Sequence, residues 1–527
     1  MSGNYRPRRR YGKPASAKGT DEASGRRDTQ GTTSAAAARR DTARRASLPR
    51  RTAYDVLAAV RDREAYANLL LPKLLADRQL TGRDAALATE LAYGTLRGQG
   101  TYDAVLAACS DRPLNKLDPP VLDILRLGAH QLLNTRVGAH AAVATSVDLA
   151  KSVVGPRVSG YVNAVLRRVA MRDLDSWLAI VAPDPVADAD GYLATRYSHP
   201  RWIVAAYRAA LGQVADEPAQ VPAAEPGSAD GLAPEELAPE EAARTELEAA
   251  LAAGNARPRV TMATFPSGPS RDDVMPAGAS LGRWSPYAFT LASGDPSSLI
   301  ESGSAAVQDE GSQLAALALS RAPVTGDGGA GRWLDMCAGP GGKARLLAGL
   351  AVGEKATLIA AELHPHRAAL VAGALARVRQ PGQPPHEVIV ADSTTGPWQE
   401  GAFDRILLDV PCSGLGALRR RPEARWRKSA DDLKELTALQ RDLLRSALKA
   451  ARPGGVVAYV TCSPVPAETS DVVTDVAESM PGVEFLDTPG ILGDVPGAAA
   501  VDARFVQLWP HRHGTDAIFI ALLRRGQ

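Results

Sequence analysis

Two patterns of apolar positions divide this chain. From residue 51 to about 175, apolar residues recur three and four apart: Val56, Leu57 and Val60, then Leu87 and Leu91, then Val121, Leu122, Ile124, Leu125 and Leu127. That spacing predicts helices around a common core. Asp118-Pro119-Pro120 predicts a helix start with proline in the first turn, and the helical pattern continues from Gly138 to Arg168. Beyond residue 306 the pattern changes. Short apolar runs at 356–361, 387–390, 403–408, 456–460, 483–486 and 517–522 are separated mostly by helical segments. Such alternation predicts a mainly parallel sheet with helices on both faces. Between the two regions, a helical run at 247–251 and an extended segment at 259–262 predict a small α+β piece. A further helix is predicted at 314–319, after Val307-Gln308-Asp309-Glu310.

Two stretches have no such pattern. Residues 1–50 carry 13 Lys/Arg against 4 Asp/Glu, too few large apolar residues to fold alone, and the charge of an arm that holds phosphates. From Asp216 to Glu241 there are eight acids, five prolines and no Lys or Arg, which predicts a self-repelling insert. The expected organisation is multidomain: a disordered basic arm over 1–50, an all-α bundle over 51–180, a linker and small α+β domain over 181–305 with a disordered acidic insert at 214–242, and an α/β domain over 306–527. The junction Tyr197-Ser198-His199-Pro200 gives His199 a structural reading, since a histidine before proline at a domain joint is constrained by the chain.

Overall composition excludes several classes. The chain is 45% hydrophobic with a net charge of +2, a soluble profile. No apolar run is long enough to span a bilayer, so no membrane partner is expected. The N-terminus lacks the apolar core of a secretory signal. The four cysteines are too few for a disulfide scaffold and lack paired metal spacing, so no metal is expected. Free thiols without an export signal fit the cytoplasm.

The candidate chemistry lies at the carboxyl ends of the predicted strands. Leu334-Asp335-Met336-Cys337-Ala338-Gly339-Pro340-Gly341-Gly342-Lys343 reads as strand, glycine turn, helix. That arrangement presents a nucleotide-like ligand to bare backbone and to helix N–H donors. It is neither a dinucleotide GxGxxG nor a phosphate loop. Glu362 ends the next strand, placed to accept from ribose hydroxyls, and Asp392 ends the third, near a base edge. Two cysteines then follow two consecutive strands, in Asp409-Val410-Pro411-Cys412 and Thr461-Cys462-Ser463-Pro464. If those strands are neighbours, both thiols face one cleft. Thiolate suits conjugate addition to carbon 6 of a pyrimidine, which makes carbon 5 able to attack an activated methyl group. A nearby acid can hold the ring nitrogen and exocyclic amine as charge develops. These residues together read as a methyl-transfer site for a pyrimidine.

The motifs Asp335-x-Cys-Ala-Gly-Pro-Gly-Gly-Lys343, Asp409-Val-Pro-Cys412-Ser-Gly and Thr461-Cys462-Ser-Pro resemble those of the Sun-type RNA cytosine-C5 methyltransferases. Leu418-Arg419-Arg420-Arg421-Pro422-Glu423-Ala424-Arg425-Trp426 resembles the segment after the first cysteine in the bacterial 16S rRNA branch. Ala139-His140-Ala141-Ala142-Val143 and Val162-Asn163-Ala164-Val165-Leu166-Arg167-Arg168 are similar to the NusB-like RNA-binding domain of that branch. The resemblance implies a NusB-like bundle, a small α+β domain and a Rossmann-like methyltransferase domain. It implies S-adenosylmethionine held by Cys337, Ala338, Gly339, Pro340, Gly341, Gly342, Lys343, Glu362, Asp392 and Asp409, with Arg367 in the same pocket. Cys462 is then the nucleophile, Cys412 assists release, and Asp409 contacts the base. The partner is 16S rRNA or the assembling small subunit, and a monomer is expected. Arg419 to Arg421 and Arg425 to Lys428 are expected to track the RNA backbone, with Trp426 as a stacking surface. The sequence departs from the family in having Glu362 where Asp is commoner and Thr261-Met262-Ala263 where Arg-Val-Asn is usual.

Three other readings make different demands. A DNA cytosine methyltransferase puts its nucleophile in the Pro-Cys motif and has no need of Thr461-Cys462. An amino-group methyltransferase carries Asp/Asn-Pro-Pro-aromatic where residues 409–412 read Asp-Val-Pro-Cys. A NusB-like assembly factor leaves both cysteines without a task.

Overall fold

The structure, a computed structural model, describes residues 30–212, 239–266, 268–292, 296–326, 331–378, 384–493 and 495–526, the side chains of 30–46 and 239–242 excepted. The chain divides into two compact units, Met1–Leu48 and Pro49–Gln527. Of the first, helical backbone over 30–48 is described. Most of the arm expected at 1–50 therefore lies outside the described residues. So does the acidic insert expected at 214–242, apart from 239–242, which begin the helix Pro239–Asn255.

The second unit begins with helices, as the three-and-four spacing predicts. After residues 49–63 come Ala67–Asp77, Gly82–Arg97, Gln99–Cys109, Pro119–Asn134, Ala139–Val153 and Ser159–Val169. Their apolar stripes close on one core that includes Val56, Leu91, Val105, Ile124, Leu125 and Leu166. Pro119 opens its helix directly after Asp118, where its missing N–H leaves no bond unmade. Three more helices, Ala189–Arg196, Arg201–Ala210 and Pro239–Asn255, share a separate core with Leu415, Leu418, Val465 and Trp509 from the α/β part. His199 lies in this joint. Burial, then the charge of Arg425, push its imidazole well below its usual pKa, so it stays neutral there as a packing residue.

Four short strands, β1 (Thr261–Ala263), β2 (Ser280–Leu281), β3 (Ala288–Thr290) and β4 (Ala306–Val307), pair antiparallel in the order β2-β3-β1-β4. The larger sheet contains β5 (Arg332–Asp335), β6 (Thr357–Glu362), β7 (Glu387–Val390), β8 (Phe403–Asp409), β9 (Ala451–Thr461), β10 (Val483–Phe485) and β12 (Phe519–Arg525), with β11 (Val506–Gln507) paired to β12. Its order is β10-β12-β9-β8-β5-β6-β7. The pairs from β7 to β9 are parallel, and β12 runs antiparallel to both neighbours, so the sheet is mixed at one side.

Both faces of the central strands of this sheet are buried. Along β9, Val456, Ala458 and Val460 join one core while Val457 and Tyr459 join the other. Burial on both faces explains why the strands read as unbroken apolar runs rather than alternating ones. The strand β9 starts at Ala451, earlier than the run at 456–460 predicts. A register shift between Phe403 and Arg405 absorbs Arg452-Pro453-Gly454-Gly455, residues that mark a turn when read locally. The order reverses between β5 and β8, and ligands of open α/β sheets bind at that switch, outside the carboxyl ends of the strands.

Candidate active site

The turn after β5 is shaped by close approach. At Gly339 a Cβ would collide with Glu362 Oε2, and Gly341 has φ +110°, which L side chains rarely adopt. The helix Gly342–Gly353 follows at once. Glu362, at the end of β6, is 4% exposed; its Oε2 accepts from Gly339 N (3.1 Å) and its Oε1 from His364 N (3.0 Å). Arg367 donates from Nη2 to Gly339 O (2.8 Å) and lies 3.5 Å from Glu362 Oε1. Asp392, two residues past β7, is exposed; hydrogen bonds from Thr394 Oγ1 (2.7 Å) and Thr394 N (2.9 Å) hold its carboxyl below the usual range. Next to it, Ser393 Oγ donates to Met336 O (2.6 Å), tying this loop to the glycine turn.

Asp335 is buried, and its Oδ2 meets no hydrogen-bond partner. Burial, then the charge of Asp409, push its carboxyl up to about 8. Cys337 is half-buried; burial and the charge of Asp335 push its thiol up. Lys343 reaches across to Asp409 at the end of β8, Nζ to Oδ2 at 2.9 Å. Burial alone would lower this ammonium, but Asp409 outweighs it and holds the pKa above its ordinary value.

Because β8 and β9 are adjacent and parallel, the loops after them run side by side. Cys412 Sγ and Cys462 Sγ lie 3.1 Å apart, both as free thiols. Their environments differ. The hydrogen bond to Cys462, then burial, push Cys412 well above the ordinary thiol value. The hydrogen bond from Cys412 pulls Cys462 below it; Lys343 and Arg421 assist, against burial and Asp409. The arrangement therefore favours a thiolate at Cys462 and a proton on Cys412.

A sulfonium nucleoside donor fits these residues. The buried carboxylates Asp335 and Glu362 face a bare backbone turn, and Asp335 has an oxygen without a partner. Gln308 is 7% exposed with both amide atoms unbonded, and it lies 3.9 Å from where a Cβ on Gly342 would be. Buried polar groups without partners are rare in folded chains and mark places where something else binds.

A 16S rRNA methyltransferase RsmB/F family model matches residues 323–524, and a NusB family model matches 47–171. A Mycobacterium tuberculosis protein, named as a methyltransferase, is 47% identical over 479 residues, 90% of this chain and 96% of that protein. The ribosomal RNA small subunit methyltransferase B of Pseudomonas putida is 33% identical over 450 residues, 83% of this chain and 91% of the enzyme. The chain belongs to the RsmB/F family of 16S rRNA methyltransferases. It is an S-adenosylmethionine-dependent rRNA methyltransferase with an N-terminal helical NusB domain and a C-terminal mixed-sheet methyltransferase domain. The crystal structure of PH0851 shares the fold, with a TM-score of 0.68 at 21% identity over 91% of this chain and 98% of the other. Among the described residues no helix is long and apolar enough to cross a membrane.

Within this RsmB/F member the predicted site residues Cys337 to Lys343, Glu362, Arg367, Asp409, Cys412 and Cys462 gather at the carboxyl ends of four adjacent strands, with Asp392 on the loop after a fifth. Glu468 escaped the sequence reading, as did Gln308. Glu468 is fully buried and bridges the two cysteine loops. It accepts from Ser413 N (2.7 Å), Ser413 Oγ (2.5 Å), Ser463 Oγ (2.6 Å) and Gln440 Nε2 (3.2 Å). The only local signal was an acid a few residues past Thr461-Cys462.

The arginine run corrects an expectation. Arg419 and Arg420 are not a free cationic surface; both are ion-paired to Asp309 and Asp516. Arg425 is fully buried, donating to Ser198 O (2.8 Å) and Asn255 Oδ1 (2.7 Å). Arg427 donates to Ala65 O (2.5 Å) and Val60 O (3.3 Å). Trp426 is 36% exposed and packs against the backbone at Gly100. Leaving the buried carboxylates of Asp309 and Asp516 without a counter-charge would be strongly destabilising, and these cations supply it.

Proposed function

We propose that the protein methylates carbon 5 of a cytosine in 16S rRNA, free or within an assembling small subunit. A transient bond joins Cys462 Sγ to carbon 6, and Cys412 assists release. The observation that carries this reading is the pair of thiols 3.1 Å apart beside the Asp409–Lys343 ion pair. Cys462 adds as thiolate to carbon 6, and the electron pair of the 5,6 double bond moves to carbon 5. Asp409 holds the ring nitrogen and exocyclic amine of the base as charge develops there. S-adenosylmethionine, when bound, supplies an electrophilic methyl group to carbon 5. Glu362, Asp392, Arg367 and the turn from Cys337 to Lys343 hold and orient it.

Release requires loss of the carbon 5 proton. The remaining electron pair re-forms the double bond and expels Cys462 as thiolate. The first cause of the raised Cys412 pKa is its hydrogen bond to Cys462. Once Cys462 is bonded to carbon, that cause is gone and Cys412 gives up its proton to solvent more readily, so that its thiolate can take the carbon 5 proton. A nucleophile at Cys412, as in DNA cytosine methyltransferases, runs against this ordering, because Cys412 is the thiol that keeps its proton.

The same reading gives 51–180 to RNA binding, 181–305 to the linker and small α+β domain, and 306–527 to catalysis. The protein then acts in the cytoplasm, as a monomer. Tritium placed on carbon 5 of cytosines in 16S rRNA tests the chemistry. Stoichiometric release of tritium with methyl transfer is expected, and methylation that retains the tritium contradicts it.

A further inference from the structure

Between Arg419 and Lys428 the chain carries five arginines. Four are committed to carboxylates or carbonyls of the protein, as described above. Arg421 is the exception. It is exposed, and among the described residues its guanidinium has no hydrogen bond and no ion pair. It lies over the ring of Tyr66, 5.1 Å from the centroid, and Arg427 lies over the same ring at 5.3 Å. Tyr66 is itself 45% exposed, the N-terminal flank of the helix Ala67–Asp77.

The chain leads from the thiol loop to this pair within a few residues. The loop from Cys412 is pinned by Gly416 N donating to Cys462 O (2.8 Å), and Arg421 N then donates to Ala417 O (3.0 Å). The charge of Arg421 is among those that hold the Cys462 thiol down. The helical side is fixed too: Glu423 Oε1 accepts from Ala67 N (3.1 Å), and Arg427 holds Ala65 O. The helical domain thus contributes an aromatic face and the catalytic domain an unengaged cation, on backbones tied to each other.

A cation over an exposed ring is held only weakly, which leaves the guanidinium fork free for a stronger acceptor. An arginine fork suits a phosphate bidentately, and an aromatic ring stacks an unpaired base whatever its sequence. We propose that Arg421 and Tyr66 bind the nucleotide adjacent to the target cytosine, its phosphate on the guanidinium and its base on the ring. The helical domain then does more than anchor distant RNA: it completes the rim of the catalytic pocket.

This inference rests on the RNA cytosine reading, and its test separates the two. Full-length protein is titrated with transcribed 16S rRNA across about 50 to 200 mM salt. Arg421→Ala is expected to bind about tenfold more weakly and to lose about one unit of the salt slope, while Arg421→Lys keeps the slope. Tyr66→Ala is expected to lose about tenfold with the slope unchanged, and Tyr66→Phe to retain affinity. Calorimetry with S-adenosylmethionine must show wild-type affinity in all four, which verifies folding; Arg421→Gln, which keeps most of the stem, is the second variant and must lose the same slope. Wild-type affinity and slope in Arg421→Ala, Arg421→Gln and Tyr66→Ala overturn the proposal. Covalent capture of 5-fluorocytosine RNA by the wild type reads the carbon 5 chemistry independently, so either claim can fall alone.

Discussion

The two halves of the catalytic cleft are built differently. On the donor side, at the ends of β5, β6 and β7, the ligand-facing groups are backbone amides and carboxylates, and each carboxylate is held by one or two hydrogen bonds, as Glu362 is by Gly339 N and His364 N. On the thiol side, at the ends of β8 and β9, the two cysteine loops are joined by one buried carboxylate from the loop after β9. Glu468 gathers Ser413, Ser463 and Gln440, and Tyr459 bonds its carbonyl. A local turn can be altered and still bind. A buried carboxylate with four donors cannot be removed without stranding some of them, Ser413 N first.

The largest effect is therefore expected from Glu468→Ala. It leaves buried donors without partners, costs about 2–4 kcal/mol of stability, and lets the two sulfurs drift apart. The methylation rate should fall by at least about tenfold while the affinity for S-adenosylmethionine, read by calorimetry, stays put. Equal loss in both would mean the two halves are not separable. On the donor side Gln308→Leu should do the reverse. It removes a buried amide that has no partner, so thermal stability should hold or rise, while donor affinity drops about tenfold. An unchanged affinity would remove Gln308 from the pocket.

A smaller effect sharpens the contrast through pH. Asp335 is pushed up to about 8 by burial and by Asp409, above its unfolded value near ~3.9. The folded protein therefore binds the extra proton. The stability this gives is complete below the unfolded pKa and is lost as pH rises through the folded one. Asp335→Asn should match the wild type near pH ~4 and melt a few degrees higher above pH ~8, without ligand. A melting difference that does not change with pH would contradict the assignment.

The same contrast explains what the sequence disclosed. The donor side was legible because strand, glycine turn and acid follow one another locally, and Glu362 fell at a strand end as the apolar run predicted. The cysteines were legible because each directly follows an apolar run, and the parallel pairing of β8 and β9 brought them into contact. Glu468 was not, because its clients include Ser413, 55 residues away. The arginine run was misread for a similar reason. Arg419 finds Asp309 and Asp516 at separations of 110 and 97 residues, and no local pattern announces those carboxylates. Charge clusters show only that partners are needed; the tertiary fold decides whether the partner is protein or nucleic acid.

The thiol pair is the centre of the account, and separate replacement of each sulfur tests it most directly. The full-length protein carrying Cys412→Ser or Cys462→Ser is incubated with 16S rRNA and S-adenosylmethionine, and protein–RNA adducts are read on a denaturing gel. The account predicts that Cys412→Ser accumulates a covalent complex and that Cys462→Ser forms none. The opposite pattern, an adduct that persists with Cys462→Ser and vanishes with Cys412→Ser, would contradict it.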